Sequence, residues 1–186
     1  MRETYFFPAL EAGLCKDSFC FVIGSVGCCM SGEISLRDYR DFDIEAMFRL
    51  DMACFAPEFR FDRQSMRAFA EEKDAIVLVA EEMSGGMVGF LIVHVERVAE
   101  GRWGYVVTLD VAEEWRRRGL AGMLMREAEA RVAAGGGRWM ELHVFTGNEG
   151  AIHFYERLGY ERIAVTRGFY TEELDAFVYR KTIADV

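Results

Sequence analysis

Basic residues are in deficit in this sequence. Its 186 residues include 22 Lys and Arg against 31 Asp and Glu, which gives a formal net charge of −9 at pH 7. Binding to nucleic acid or to an anionic membrane surface needs clustered positive charge, so the composition argues against both as partners. The acidic excess favours a cationic substrate, although many proteins are acidic for solubility alone.

Cysteine is too scarce and too unevenly placed for a disulfide framework. The five cysteines lie at positions 15, 20, 28, 29 and 54. Their number is odd, and their spacings match no common zinc pattern, so we expect neither disulfides nor a metal site. Reduced thiols in a cytoplasmic protein are the expectation instead.

Long hydrophobic runs are also missing. The most apolar stretch, residues 19–30, is too short to span a bilayer. An export signal would begin with basic residues, whereas the two basic residues before this stretch are outnumbered by acidic ones. We therefore expect residues 1–31 to be an extension of unknown role, with Met30 as an alternative natural start. Residues 32–184 are expected to form one domain.

The most informative segment that is present runs from Arg116 to Ala121. It follows a strand-like run, Gly104 to Val111, and opens an amphipathic pattern that ends at residues 135–137. Glycine lets the backbone approach a ligand closely, and the first turn of a helix offers free N–H groups and a positive dipole end. Because three arginines precede that turn, the segment predicts a site for a diphosphate.

Two motifs in order carry a family resemblance. The first segment lacks the Gly-Lys-Ser/Thr of a P-loop, and no Gly-x-Gly-x-x-Gly follows a strand. Arg116, Gly119 and Ala121 instead match Gln/Arg-x-x-Gly-x-Gly/Ala, the acetyl-CoA signature of the GNAT acetyltransferase superfamily. Residues 142–160, LHVFTGNEGAIHFYERLGY, resemble the strand, Asn and Ala-Ile-x-x-Tyr-Glu-x-Leu-Gly-Phe segment of RimI-type protein N-terminal acetyltransferases. The resemblance covers about residues 32 to 184.

The apolar pattern from Gly32 onward predicts an α/β (α+β) domain with a mixed sheet and flanking helices. The resemblance implies the GNAT fold, with about seven strands, about four helices, and the fourth and fifth strands splayed around acetyl-CoA. The pattern predicts helices at Asp41–Phe55, from Asp62 to about Glu72, Gly119–Ala134 and Glu149–Leu158. It predicts strands at Glu33–Arg37, Ala75–Glu82, Met87–Val98, Gly104–Val111, Trp139–Phe145, Tyr160–Thr166 and Leu174–Lys181.

The resemblance also implies which residues bind acetyl-CoA as co-substrate. The backbone of the fourth strand pairs with the pantetheine arm in the family, and an N–H near Val111 can hold the thioester oxygen. Asn148 is expected to cap a helix and to contact the coenzyme arm as well. The predicted coenzyme-binding residues are Leu109, Asp110, Val111, Arg116, Arg117, Arg118, Gly119, Leu120, Ala121 and Asn148.

Three residues are candidates for catalysis. Tyr155 matches the family's proton donor to the leaving thiolate, with core packing as the alternative. His143 stands where RimI-type enzymes often place a glutamate, and an imidazole of ordinary pKa ~6.5 is a competent base. Its alternative is a strand histidine satisfied by a neighbour. Glu141, on the same strand face, is a substitute base or an orienting partner, and Asp110 is a reserve base.

The acceptor is predicted to be a primary amine. Neutralising an α-amino group of pKa ~8 at pH 7 costs only ~1.4 kcal/mol, against ~4.6 kcal/mol for a lysine at ~10.4, which favours a peptide N-terminus. The resemblance implies that Phe59 and Tyr170 wall the acceptor slot. Direct attack is expected, because nothing in the sequence brings His143 to Cys54 for an acyl-enzyme.

Three alternatives stay open at this stage. The acceptor is then a small amine such as a polyamine, an amino acid or an antibiotic, or the chain is a non-catalytic acetyl-CoA-binding module. The third alternative is a structural domain without a ligand. Acetyl-CoA and an amine or peptide are the expected partners of a monomer or homodimer.

Overall fold

The computed structural model describes residues 34–99 and 101–183. The predicted N-terminal extension and Glu33, the expected start of the first strand, lie outside the described residues. Within them, the helices and strands follow in the predicted order. The elements are β1 (Ile34–Asp38), α1 (Ile44–Cys54), α2 (Arg63–Ala70), β2 (Ile76–Glu82), β3 (Met87–Val98), β4 (Gly101–Val111), α3 (Leu120–Ala134), β5 (Gly137–Phe145), α4 (Glu149–Arg157), β6 (Glu161–Thr171) and β7 (Leu174–Thr182).

The strands form one sheet in the order β1-β2-β3-β4-β5-β7-β6. Neighbours are antiparallel except β4 and β5, which run parallel. Parallel neighbours need a crossover connection, and α3 provides it. The predicted mixed sheet of seven strands with four helices is confirmed.

The parallel pair β4 and β5 separates after a short paired stretch. Pairing ends where Tyr105 lies opposite Glu141, yet β4 continues to Val111 and β5 to Phe145. The two strand ends therefore diverge, as the resemblance implied. Their backbone groups at this point become available to something other than each other.

A bulge in β4 coincides with this separation. The register against β3 passes from Val106 directly to Thr108, so Val107 is an extra residue. A bulge bends its strand and increases the local twist. It also resets the alternation of side chains, because Leu109 and Val111 join the core beneath α3 while Asp110 points to the opposite face, toward α1.

Two hydrophobic clusters fill the opposite faces of the sheet. One cluster lies beneath α3 and α4, and the other lies beneath α1 and α2. The apolar face predicted for α3 is buried, with Leu120, Leu124, Ala128 and Val132 at most 1% exposed. This packing fixes the start of α3 beside the end of β4.

Several predicted boundaries differ from the structure. Residues 41–43 form a short 3-10 turn before α1, because the Asp43 carboxylate accepts from the backbone N–H of Arg40 at 2.7 Å and pairs with Arg37. The predicted cap of α2 is confirmed, since Asp62 accepts from Ser65 N at 2.7 Å. The helix nevertheless ends at Ala70 rather than near Glu72, and β6 continues five residues beyond its predicted end, Thr166, to Thr171.

Candidate active site

A cavity of about 710 Å³ lies between the end of β4, the start of α3, and α4. The bulge in β4 and the burial of the α3 face bring these three elements together. Most of the residues predicted to bind the coenzyme line this cavity. They are Leu109, Val111, Arg116, Arg117, Gly119, Leu120 and Ala121.

The backbone at the start of α3 is shaped to present amide groups to the cavity. Gly119 is the N-cap, with a left-handed φ of 86°, a conformation that costs any residue with a Cβ about 1–2 kcal/mol. A Cβ at this position would meet no atom within 4 Å, so the space above the glycine is open. The first-turn N–H groups have no acceptor within the helix and carry its positive dipole end.

Arg116 connects this turn to the end of β4. Its Nε donates to the carbonyl oxygen of Val111 at 3.0 Å, which fixes the guanidinium beside the cavity. Cys54 also donates to that carbonyl, with its Sγ at 3.4 Å. The carbonyl of Val111 is thus held from two sides, and the strand end is rigid where the thioester is expected.

Three predicted coenzyme residues do not line the cavity. Arg118 instead lies over the Trp115 ring, with its Cζ 5.1 Å from the centroid. Asp110 is fully buried on the other face of β4, because the bulge reverses the alternation there. Asn148 lies just before α4.

The structure adds cationic side chains that sequence reasoning missed. Arg126, His153 and Arg157 line the same cavity. A Cβ on Gly122 would lie 3.1 Å from the guanidinium of Arg126, so the glycine leaves room for the arginine one helical turn later. The spacing Gly122-x-x-x-Arg126 on one helix face could have indicated this residue.

Asn148 fulfils one of its two predicted roles. Its Oδ1 accepts from the backbone N–H of Ala151 at 3.1 Å and so caps α4. Its Nδ2 is buried and has no acceptor among the described residues. A buried amide donor without a partner costs about 1–3 kcal/mol, so this group is available to an acceptor from a bound ligand.

Tyr155 sits in the core beneath the cavity. It is 3% exposed, and its ring packs edge-on against Phe154 and Tyr160. Burial, and then the negative charge of Asp110, raise the pKa of the Tyr155 phenol. The phenol therefore stays protonated throughout the neutral pH range.

His143 lies on the opposite face of β5 and is tightly held. Its Nδ1 is 3.1 Å from the Tyr105 hydroxyl, and its Nε2 is 3.3 Å from the Thr166 hydroxyl. The ring stacks on Phe169 with 4.1 Å between centroids. Burial lowers the pKa of His143 to about 4. The ordinary pKa assumed from the sequence is therefore wrong for this ring, because β6 covers it.

Glu141 does not orient His143. Its Oε1 accepts from Trp139 Nε1 at 3.1 Å and from Arg180 Nε at 2.7 Å. These contacts hold the carboxylate at the β7 side of the sheet. The predicted strand face is confirmed, since Trp139, Glu141 and His143 alternate with fully buried residues.

The two predicted acceptor residues meet in an aromatic cluster. The rings of Phe59 and Tyr170 are 5.1 Å apart and edge-on, and Phe145 lies 5.5 Å from Phe59. Phe59 comes from the segment between α1 and α2, Tyr170 from the end of β6, and Phe145 from the end of β5. The loop and the hairpin thus come together at the diverging end of β5, as the resemblance implied.

Two buried carboxyl groups complete the site, one of which sequence reasoning did not assign a role. Asp51 on α1 and Asp110 on β4 are both 0% exposed. Asp51 accepts from Phe61 N at 3.2 Å, and Asp110 accepts from Thr108 Oγ1 at 2.6 Å. The signal was an acid at a position on the apolar face predicted for α1.

Comparison with known proteins decides the family. The profile of the acetyltransferase (GNAT) family matches residues 44–160. The chain belongs to the GNAT acetyltransferase family. The predicted acetyl-CoA-dependent acyltransferase is thereby confirmed as the class of enzyme.

Individual relatives of this GNAT chain are N-terminal acetyltransferases. The N-alpha-acetyltransferase daf-31 of Caenorhabditis elegans is 25% identical over 81% of this chain and 84% of its own length. The NAA10 catalytic subunit of the N-terminal acetyltransferase A complex of Arabidopsis thaliana is 31% identical over 58% of this chain and 57% of its own length. The structure of Arabidopsis thaliana NAA60 in complex with acetyl-CoA superposes with a TM-score of 0.71, 21% identity, and coverage of 81% and 98%.

Two searches for other sites ended without a candidate. None of the helices in residues 34–99 and 101–183 is long and apolar enough to cross a bilayer. In the same residues, no group of three or more His, Cys, Asp or Glu side chains is placed to hold a metal ion.

Proposed function

We propose that this GNAT enzyme transfers the acetyl group of acetyl-CoA to the α-amino group of a protein or peptide N-terminus. The observation that carries the proposal is the cavity where the end of β4 meets the amide groups at the start of α3. The names of the relatives, daf-31 and NAA10, support the N-terminal acceptor. A RimI-type specificity and a cytoplasmic location belong to the same proposal.

The coenzyme would lie with its diphosphate at the start of α3. There the N–H groups of Leu120 and Ala121 and the guanidinium groups of Arg116 and Arg117 offer donors to anionic oxygens. The pantetheine arm would run along the open edge of β4, from which β5 has separated. The unpartnered Nδ2 of Asn148 would donate to a carbonyl of that arm.

Tyr155 is the proposed donor of a proton to the departing thiolate. Its raised pKa keeps the proton available, and its place on α4 faces the end of β4 across the buried Asp110. His143 and Glu141 stay as candidates for the base. Their contacts weigh against both, because the ring nitrogens of His143 are occupied and Glu141 is paired with Arg180.

The acceptor would enter between the segment that holds Phe59 and the hairpin that holds Tyr170. Both rings are buried in the aromatic cluster, so the slot must open by a side-chain movement when an amine enters. Residues 32–184 would form the catalytic domain, alone or as a homodimer.

An acceptor panel tests this proposal. Purified enzyme and acetyl-CoA are incubated with free peptides, with the same peptides blocked at the N-terminus, and with small amines, and thiol release is followed. We expect release only with a free α-amino group. Release with polyamines or aminoglycosides alone would instead support the small-amine alternative, and coenzyme binding without any release would support the binding module.

A further inference from the structure

We propose that Asp51 and Asp110 share one proton and together accept the proton that the substrate ammonium loses before its nitrogen attacks the thioester. This inference rests on the proposed acetyl transfer. It assigns the base to a pair of side chains from α1 and β4, neither of which is a residue of β5. His143 then becomes a positioning residue that supports the aromatic wall.

The first argument is the state of the two carboxyl groups. Both side chains are 0% exposed, and the Oδ1 of each is buried without a hydrogen-bond partner among the described residues. Two ionised carboxylates that face no cation at hydrogen-bond distance are strongly disfavoured in a protein interior. One proton held between them gives each group a partner and leaves a single negative charge for the pair.

The second argument is where the pair lies. Asp51 accepts from the backbone of Phe61, two residues after Phe59 of the proposed acceptor wall. Asp110 directly precedes Val111, whose N–H is the proposed holder of the thioester oxygen. The pair therefore lies between the acceptor segment and the coenzyme strand, at the junction where the amine and the thioester must meet.

The third argument compares the proton affinities of the candidate bases. Burial raises the pKa of Asp51 to about 7, and burial and the charge of Asp51 raise the pKa of Asp110 well above its usual range. Taking a proton from an α-ammonium of pKa ~8 is then uphill about tenfold for Asp51. For His143, with a pKa of about 4, the same transfer is uphill about 10⁴-fold.

Other charged and titratable groups around the pair act in a consistent way. Arg60 and Arg116 lower the proton affinity of Asp51 and Asp110 respectively, through their positive charges, without cancelling the effect of burial. Burial raises the pKa of Cys54 to about 12, and Tyr155 is also protonated at neutral pH. The pair is thus the group at this junction that changes its charge near pH 7.

The proton balance of the reaction closes with this assignment. An N–H bond of the ammonium breaks, and its proton joins the carboxyl pair, which later releases it to solvent. The freed lone pair forms the C–N bond at the thioester carbon, the C–S bond breaks, and the thiolate takes the Tyr155 proton. The second proton lost by the nitrogen restores Tyr155, so the products are amide, thiol and one proton.

The test is the pH dependence of kcat for wild type, Asp51→Asn, Asp110→Asn and the double variant. We expect wild-type kcat to rise through about pH 7, and each single variant to lose about 10²-fold or more near neutrality together with that limb. The double variant should be no slower than the worse single one, because the two groups act as a unit. Acceptors with different amine pKa values separate the limb of the enzyme from that of the substrate.

Glu129→Gln is the matched control, because Glu129 is another buried acid, held by Tyr160 and Lys181 away from the pair. It should keep the limb near pH 7. A wild-type limb that persists in Asp51→Asn with kcat within about twofold would overturn the assignment while leaving acetyl transfer intact. Failure of the wild type to acetylate any amine would instead contradict the proposed function.

A readout without turnover covers variants that fold poorly. The infrared carbonyl stretch of a protonated, buried carboxylic acid should be present in the wild-type protein at pH 6 and decrease through about pH 7. A wild-type protein with no such titrating band would contradict the shared proton directly, whatever the activity of the variants.

Discussion

At the residue scale, the chemistry of this site depends on burial more than on residue type. Asp51, Asp110, His143 and Tyr155 all have pKa values moved by desolvation. The sequence indicated which of these positions lie near the site, because three of them follow family motifs. It could not give their protonation states, since these depend on which elements cover them.

Replacing Tyr155 tests the proton donor. Tyr155→Phe removes the hydroxyl and keeps the ring that packs against Phe154 and Tyr160. We expect kcat to fall about 10²-fold or more while the Kd for acetyl-CoA changes less than twofold. Stopped assays of thiol release and titration calorimetry measure the two quantities. An unchanged kcat would mean that Tyr155 serves only the core.

His143 makes a prediction about stability rather than turnover. The unfolded ring takes up a proton below pH ~6.5, whereas the folded ring does so only near pH 4. Between these values the unfolded state binds more protons, so the free energy of unfolding falls as the pH falls, by at most about 3 kcal/mol.

His143→Gln should remove this contribution. Urea unfolding at pH 7 and pH 4.5 measures it, and the variant should lose less stability over that interval than the wild type. An equal loss in both proteins would show that the ring titrates normally. Because other acids also titrate here, only the difference between the two proteins is informative.

At the element scale, the bulge in β4 and the cap of α3 form the coenzyme site. The sequence predicted both strands and the helix within a few residues, because their hydrophobic periods are regular. It did not predict the bulge at Val107, since one extra residue in an apolar run of valines has no periodic signature. The consequence for Asp110, which turns away from the cavity, was therefore missed as well.

Two glycines with the same conformation separate backbone strain from coenzyme binding. Gly119 and Gly136 have φ values of 86° and 80°, and a Cβ on either would meet no atom within 4 Å. Gly119→Ala and Gly136→Ala should each cost about 1–2 kcal/mol of stability. Only Gly119→Ala should weaken acetyl-CoA binding, about tenfold or more, because only Gly119 lines the cavity. Equal Kd values would remove α3 from the site.

At the scale of the whole molecule, fold and coenzyme class were predictable from two motifs in order, and the comparisons confirm both. The acceptor slot was predictable only as a pair of residues from distant segments, Phe59 and Tyr170. Their closed aromatic packing with Phe145 arises from tertiary contacts among a loop, β5 and β6, and no local pattern encodes it.

Acetyl-CoA should stabilise the folded chain as a whole. At a coenzyme concentration of one hundred times Kd, the free energy of unfolding should rise by about 2.7 kcal/mol. Denaturant unfolding with and without coenzyme measures this gain. A structural domain without a ligand would show no change, whereas a binding module would show the change but no turnover.

The most direct measurement of the central claim is mass spectrometry of a peptide that carries one free α-amino group and one internal lysine, incubated with the enzyme and acetyl-CoA. The account predicts one acetyl group per peptide, located on the N-terminal nitrogen, with an equal amount of free thiol. Acetylation of the lysine alone, or none at all while the coenzyme is bound, would contradict it.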